Sequence, residues 1–423
     1  MSRRQPQRYP LWLYVLDQLI LAVTALLAGW LVGKLCTKLE FGRFTLVMNL
    51  LQLQMVLQAA IVIHPFGARF YQYSADAQPE YSARVTSRQV WLSAVMSFCI
   101  AWLPAVAVAP EVLDAFTALL LAAASVPILF REFLRRRLLL EGRLESTLRL
   151  DVLVSVIQFG GLLVVHEVIG LNLSTVMMVL LGGHLIPVVA VGWRVILEGA
   201  VSPSKALETL REEWSLIGGL LLSSVILFVG LRAFPWLVEL SLGTAAVANL
   251  GAAQLVVGCM NPIINGLGNE INPRFARTLA EEGPAALSRA LWRTLGLQSL
   301  VLGILAAAIA ALGPKLLELL FGNKFPDLGG LIAILSVNTF LYGLAAPVAM
   351  GLITLERPGA LSASSMATAG FTLVGVPLFA NAYGLMGAAV ASTISTLLLF
   401  VCSLIVFNRV VVARIAALRT ASD

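Results

Sequence analysis

The sequence predicts an all-α polytopic membrane protein of about twelve transmembrane helices, arranged as two parallel-repeat lobes of six. Three observations carry that expectation. Hydrophobic residues make up 59% of the 423 residues and charged ones only 12%, and the mean hydropathy of +0.89 lies far outside the range of water-soluble domains. Long apolar stretches recur along the chain, most of them near the roughly 20 residues that a helix needs to cross a hydrocarbon core of about 30 Å. Matching residues also return at offsets near 200 positions, as an internal duplication would produce.

The stretches are taken in order. The first, Leu11 to Gly33, is too long for a cleavable signal peptide and ends in no small-residue cleavage motif, so it is expected to stay in the mature protein. Phe44 to His64, Val90 to Val108, Phe116 to Phe130, Leu150 to Ile169 and Leu173 to Ile196 complete a first set of six. The polar linker EGAVSPSKALETLREEW, Glu198 to Trp214, separates them from Ser215 to Phe234, Thr244 to Leu267, Leu291 to Leu312, Leu328 to Thr354, Ala360 to Ala380 and Gly387 to Phe407. Helices are expected throughout, because in hydrocarbon each backbone N–H and C=O must be satisfied within its own segment. The expected organisation is a lobe over residues 1–197, a cytoplasmic linker over 198–214 and a second lobe over 215–423.

Charge placement orients these spans. The stretch REFLRRRLLLEGR concentrates Arg131, Arg135, Arg136, Arg137 and Arg143, which on sequence grounds form a basic loop after the fourth span. With Arg3, Arg4 and Arg8 at a cytoplasmic N-terminus, this loop and the C-terminal Arg409, Arg414 and Arg419 fall on the same side. Only Lys34, Lys38, Arg43, Lys315 and Lys324 fall outside, and Arg232 within a span. That asymmetry satisfies the positive-inside rule with both termini cytoplasmic. The loop would serve as a topology anchor that attracts anionic headgroups, or would handle an anionic substrate directly. The net charge of +6 is absorbed by topology and gives no indication of nucleic acid. Cys36, Cys99, Cys259 and Cys402 lie far apart with no metal or disulfide spacing, and read as small apolar residues.

The internal echo pairs Asn49 with Asn249 and Gln54 with Gln254, 200 positions apart in the second and eighth spans. Arg143 pairs with Arg357, and Gly170 with Gly384, at an offset of 214. An even number of spans per half makes the two repeats parallel, related by an axis along the membrane normal.

The segments LEFGRFTLVMNL, REFLRRRLLLEGR, NEINPRFAR, LLFGNKF and AYGLMGAAVAST, in this order over nearly the whole chain, resemble the oligosaccharide flippases of the MOP superfamily, Wzx-like proteins. The resemblance implies a MOP/MATE-like fold, with two six-helix lobes around a central cavity lined by spans one, two, seven and eight. It also implies a place in the bacterial cytoplasmic (inner) membrane and the task of moving polyprenyl-pyrophosphate-linked sugar units from the inner to the outer leaflet by alternating access. The partners it implies are the lipid-linked oligosaccharide, membrane lipids, and a polysaccharide polymerase and other assembly proteins.

Such a task needs a polar, preferably cationic path, because pyrophosphate and sugar hydroxyls lose several kcal/mol of hydration each in hydrocarbon. On a helix of 100° per residue, Gln254, Asn261 and Asn265 fall within about 40° of one another, beside a helix-bending Pro262. Gln54 and Gln58 share a face of the second span, with Asn49 and Gln52 on another. These amides would line a cavity or bond helix to helix. Arg232, the one arginine within a span, and Arg43 at the start of the second would form a cationic outer rim for phosphate, or Arg232 would snorkel to the surface beside Phe234 and Trp236. Asp17 is an ion-coupling candidate, or a charge at the positive end of its helix. His184 in LLGGHLIPV is a second coupling candidate, or a neutral, hydrogen-bonded histidine among packing glycines.

Enzymatic readings find little support. No HExxH, no clustered Cys and His ligands, no nucleophile with a nearby base and no GxxxxGK[ST] loop occur, so neither catalysis, a metal nor another cofactor is expected. A membrane-embedded glycan polymerase or ligase would carry a large outward loop with paired arginines or acids, and every outward loop here is short. A MATE-like ion-coupled multidrug antiporter would want buried carboxylates in its lobes, for which the sequence nominates Asp17.

Overall fold

The computed structural model describes residues 11–74, 76–102, 113–198, 203–355 and 358–420, and every regular element within them is a helix. Arg3, Arg4, Arg8 and Arg357, positions 103–108 of the third apolar stretch and positions 199–202 of the linker lie outside the described residues. The chain divides into two compact units, Met1–Val225 and Ile226–Asp423. Among the described residues nine helices are long and apolar enough to cross a membrane.

The first unit contains α1 (Leu11–Leu35), α2 (Lys38–Gln58), α3 (His64–Arg69), α4 (Gln78–Met96), α5 (Ala115–Leu140), α6 (Leu144–Ile169), α7 (Leu173–Glu198) and α8 (Pro203–Glu212). A π turn, Ala59–Ile63, joins α2 to α3, so the second apolar run continues to Gln72. Local signals fix several of these helix starts. Thr37 and Glu40 form a reciprocal capping box on α2, and Asp114 caps α5 by accepting from the Thr117 N–H at 3.0 Å. The Thr117 hydroxyl and N–H also hold the Asp114 carboxyl below the usual aspartate range.

The helix α5 revises the expected basic loop. Nothing between Arg131 and Leu140 breaks a helix, and the first stop is Gly142, whose positive φ of 72° closes a Schellman motif: Arg143 N–H donates to Leu138 O at 2.8 Å and Gly142 N–H to Leu139 O at 3.1 Å. Hydropathy ends the fourth span at Phe130; the hydrogen-bonded helix runs on through four of the arginines. Their apolar neighbours Phe130, Phe133, Leu134 and Leu138 pack with Phe66, Phe70 and Tyr81 in the core of the unit.

The helix α9 (Trp214–Arg232) carries the boundary between units. The second unit continues with α10 (Phe234–Leu242), α11 (Thr244–Val257), α12 (Asn261–Glu282), α13 (Pro284–Phe321), α14 (Gly329–Thr354) and α15 (Pro358–Thr420). Its core joins Phe275 of α12, Leu287 and Leu291 of α13, Val348 and Leu352 of α14, and Phe407 of α15. A helix of 63 residues is about 95 Å long at 1.5 Å per residue, three times the hydrocarbon thickness. The break at Tyr383–Gly384, where Gly384 takes φ 62° and ψ −151°, resolves α15 into two spans. Gly170, its partner at the 214-residue offset, also has a positive φ, 80°, and ends α6.

Outward faces are apolar. On α6, Val152, Val156, Leu163 and Val164 are all exposed, as a helix bordering acyl chains requires.

Candidate functional site: buried charge networks and exposed amides

The i, i+4 spacing of Arg131 and Arg135 puts both on one face of α5, where they meet carboxylates from two other helices. Arg131 Nη2 and Arg135 Nε donate to the two oxygens of Asp151 on α6, the second at 3.0 Å, and Arg135 Nη2 donates to Asp17 on α1. Asp151 is 0% exposed and Asp17 2%. Two guanidinia and two carboxylates close a cluster in which each charge has a partner, the condition for burying ions without a prohibitive desolvation cost. The Thr24 and Ser155 hydroxyls lie 2.6 Å apart and extend this α1–α6 junction by more than one turn. Arg137 turns elsewhere, toward Glu141 at 2.7 Å and the Thr86 hydroxyl at 3.0 Å.

A second cluster centres on Glu213, between α8 and α9. It accepts from Tyr81 Oη at 2.9 Å and Arg88 Nη1 at 2.6 Å, with Arg69 Nη1 at 3.7 Å. Burial, and then the neighbouring Glu213 charge, raise the Tyr81 phenol above its ordinary value. The sequence reading missed Asp151, Arg88 and Glu213. The available signal was an ionisable residue at the edge of an apolar run, seated where a surface charge would also sit.

The nominated amides divide by unit. Gln54 and Gln58 are buried in the first unit: Gln54 Nε2 donates to Met96 O at 3.2 Å, and Gln58 Nε2 to Gln89 Oε1 at 2.9 Å and Leu129 O at 2.6 Å. In the second unit a 3-10 turn, Gly258–Met260, interrupts the helix between Gln254 and Asn261, so the stripe crosses a change of helical twist. Asn261 and Asn265 are exposed and Gln254 half-buried, and the side chain of none of them has a hydrogen-bond partner among the described residues. Arg232 is exposed in the last turn of α9, and Arg43 half-buried in the first turns of α2. His184 is buried on α7 with Nδ1 2.9 Å from Leu180 O. Beside it a Cβ at Gly183 would come within 3.4 Å of the Gln158 backbone, the mark of close α6–α7 approach.

No family model and no curated protein matches the chain. Solved structures do. An inward-facing multidrug resistance MATE family transporter of the MOP superfamily is similar at TM-score 0.72 and 16% identity, over 97% of this chain and 100% of that one. The lipid II flippase MurJ in an inward closed conformation is similar at TM-score 0.73 and 10% identity, over 97% and 92%. A MOP superfamily transporter from Pyrococcus furiosus is similar at TM-score 0.62 and 15% identity, over 96% and 94%. The chain therefore has the fold of MOP superfamily transporters, an all-helical polytopic membrane architecture.

Proposed function

We propose that this protein is a flippase that moves a polyprenyl-pyrophosphate-linked oligosaccharide between the leaflets of a bacterial cytoplasmic membrane by alternating access, with both termini cytoplasmic. The reading rests on the sequence motifs of the Wzx-like proteins, and one observation favours it over the antiporter. The carboxylates nominated by an ion-exchange mechanism, Asp17 and with it Asp151, are closed by the chain's own guanidinia, Arg135 and Arg131. A mobile proton or sodium ion would have to compete with a guanidinium for either carboxylate of that cluster. Gln254, Asn261 and Asn265, whose side chains have no hydrogen-bond partner among the described residues, are instead neutral donors and acceptors suited to sugar hydroxyls. Arg232 and Arg43 supply guanidinium for the pyrophosphate in this reading.

The test is leaflet transfer of a fluorescent lipid-linked oligosaccharide in vesicles holding the purified protein. Arg232→Ala and the double change Asn261→Ala, Asn265→Ala are expected to slow transfer about tenfold, the loss of roughly 1.4 kcal/mol of interaction, at unchanged protein abundance. Wild-type transfer by both variants would remove these residues from the substrate path.

A further inference from the structure

On the first unit a groove of about 440 Å³ opens between α3 and the last turns of α5. Its walls are the aliphatic Ile63, Ala68, Leu139 and Leu140, and its polar groups are His64 and Arg136. A smaller hollow of about 270 Å³ shares Ile63, His64 and Arg136 and adds Glu132. Arg136 is the α5 arginine that the buried clusters leave outside, with its side chain 51% exposed. Only its Nε is engaged, by Glu132 at 3.1 Å, and Glu132 also lies 3.6 Å from Arg131. The terminal nitrogens of Arg136 and the His64 ring have no hydrogen-bond partner among the described residues.

We propose that this groove binds a lipid-borne phosphate: Arg136 and His64 hold the anionic head while Ile63, Leu139 and Leu140 face the adjoining apolar chain. Three features specify such a ligand. The free end of a guanidinium presents two parallel N–H donors, the geometry that phosphate oxygens accept, and Glu132 occupies only the Nε side of Arg136. Apolar walls around a cationic point suit an amphiphile better than a hydrated inorganic ion. A neighbouring tyrosine fits a headgroup level. Tyr71, 65% exposed, donates its hydroxyl to Leu140 O at 2.8 Å, and exposed tyrosines are enriched at the headgroup level. The π turn Ala59–Ile63 contributes Ile63 to both hollows and Ala59 to one, and π turns within helices recur at binding sites because they redirect the side chains that follow. None of its residues is among those proposed above for the cargo, and bulk lipid and cargo, which share the phosphate chemistry, are separated by the titration below.

Gly67 gives a handle on shape alone, because a Cβ there meets nothing within 4 Å and a larger side chain would project into the groove. The full-length protein in phosphatidylcholine nanodiscs would be titrated with labelled phosphatidylglycerol, with short-chain polyprenyl pyrophosphate and with inorganic phosphate. Wild type is expected to bind one of the two lipids about tenfold more tightly than Arg136→Gln, which removes the charge, and than Gly67→Leu, which fills the space. Melting midpoints equal to wild type would show that both variants are folded. Preference for phosphatidylglycerol assigns the groove to bulk lipid, and preference for the pyrophosphate assigns it to the cargo; either supports a lipid-phosphate site. Equal lipid affinity in wild type and both variants, or binding of inorganic phosphate and neither lipid, would overturn it.

Discussion

Arg135 draws together Asp17 and Asp151, carboxylates 118 and 16 positions away in sequence, and that separation explains what the residues alone could and could not disclose. Residue identity showed that five arginines crowd one stretch; it did not show which of them turn inward, because ion pairing is decided by the neighbouring helix. The cost of breaking the cluster should depend on how many charges are stranded. Asp151→Ala leaves two buried guanidinia short of a partner and is expected to cost about 3–5 kcal/mol, read as a collapse of the thermal midpoint in detergent. Asp17→Asn leaves Arg135 with Asp151 and should cost less than half of that. A wild-type midpoint for Asp151→Ala would mean that water reaches the cluster. At the second cluster, Tyr81 has its phenol raised by burial and by Glu213. Its neutral form therefore stabilises the fold fully below the ordinary phenol value of 10.0, and this contribution is lost as the pH climbs past it. In an absorbance titration one of the seven tyrosines should resist ionisation until the protein unfolds, and Tyr81→Phe should remove that delayed step. A delayed step that persists in Tyr81→Phe would assign it to another tyrosine.

Helices were the most legible layer, with their ends the least. Hydropathy located the apolar centre of α5 and misjudged its end by ten residues, from Phe130 to Leu140, because arginine is a good helix former and only Gly142 supplies a stop. Hydropathy kept apart the two apolar stretches of α15, Ala360 to Ala380 and Gly387 to Phe407, and the break between them at Tyr383–Gly384 is a conformation and not a polar residue. Gly384 sits at φ 62°, ψ −151°, a region closed to residues with a Cβ, so Gly384→Ala is expected to destabilise the protein by about 1–3 kcal/mol. Gly370, on the same helix in an ordinary conformation with open space at its Cβ position, provides the control: Gly370→Ala should leave the midpoint near wild type. If the two variants melt together, the break at Tyr383–Gly384 carries no strain that matters. The caps of Thr37 with Glu40 and Asp114 with Thr117 are short-range patterns that need no tertiary partner, but the hydropathy reading passed over them and began these spans at Phe44 and Phe116.

At the scale of the whole molecule, the fold class follows from the solvent: a chain this apolar must satisfy its backbone internally, and repeated spans of helical length leave few other solutions. Likeness to MATE and MurJ structures at 10–16% identity agrees with a fold held by pattern more than by particular residues. Energy coupling was not legible, because it turns on whether Asp17 is open to an ion, and the sequence shows the carboxylate without its guanidinium. In the structure Arg135 bonds both Asp17 and Asp151, so a proton or sodium ion would compete with a charged arginine for either carboxylate. Vesicle transfer of the lipid-linked saccharide is accordingly expected to change by less than twofold when proton and sodium gradients are collapsed by ionophores. A tenfold fall would mean that the Arg135 cluster opens during the cycle and releases Asp17 to bind the ion. The antiporter mechanism would then regain its carboxylate, and Asp17→Asn should reproduce the loss without a gradient.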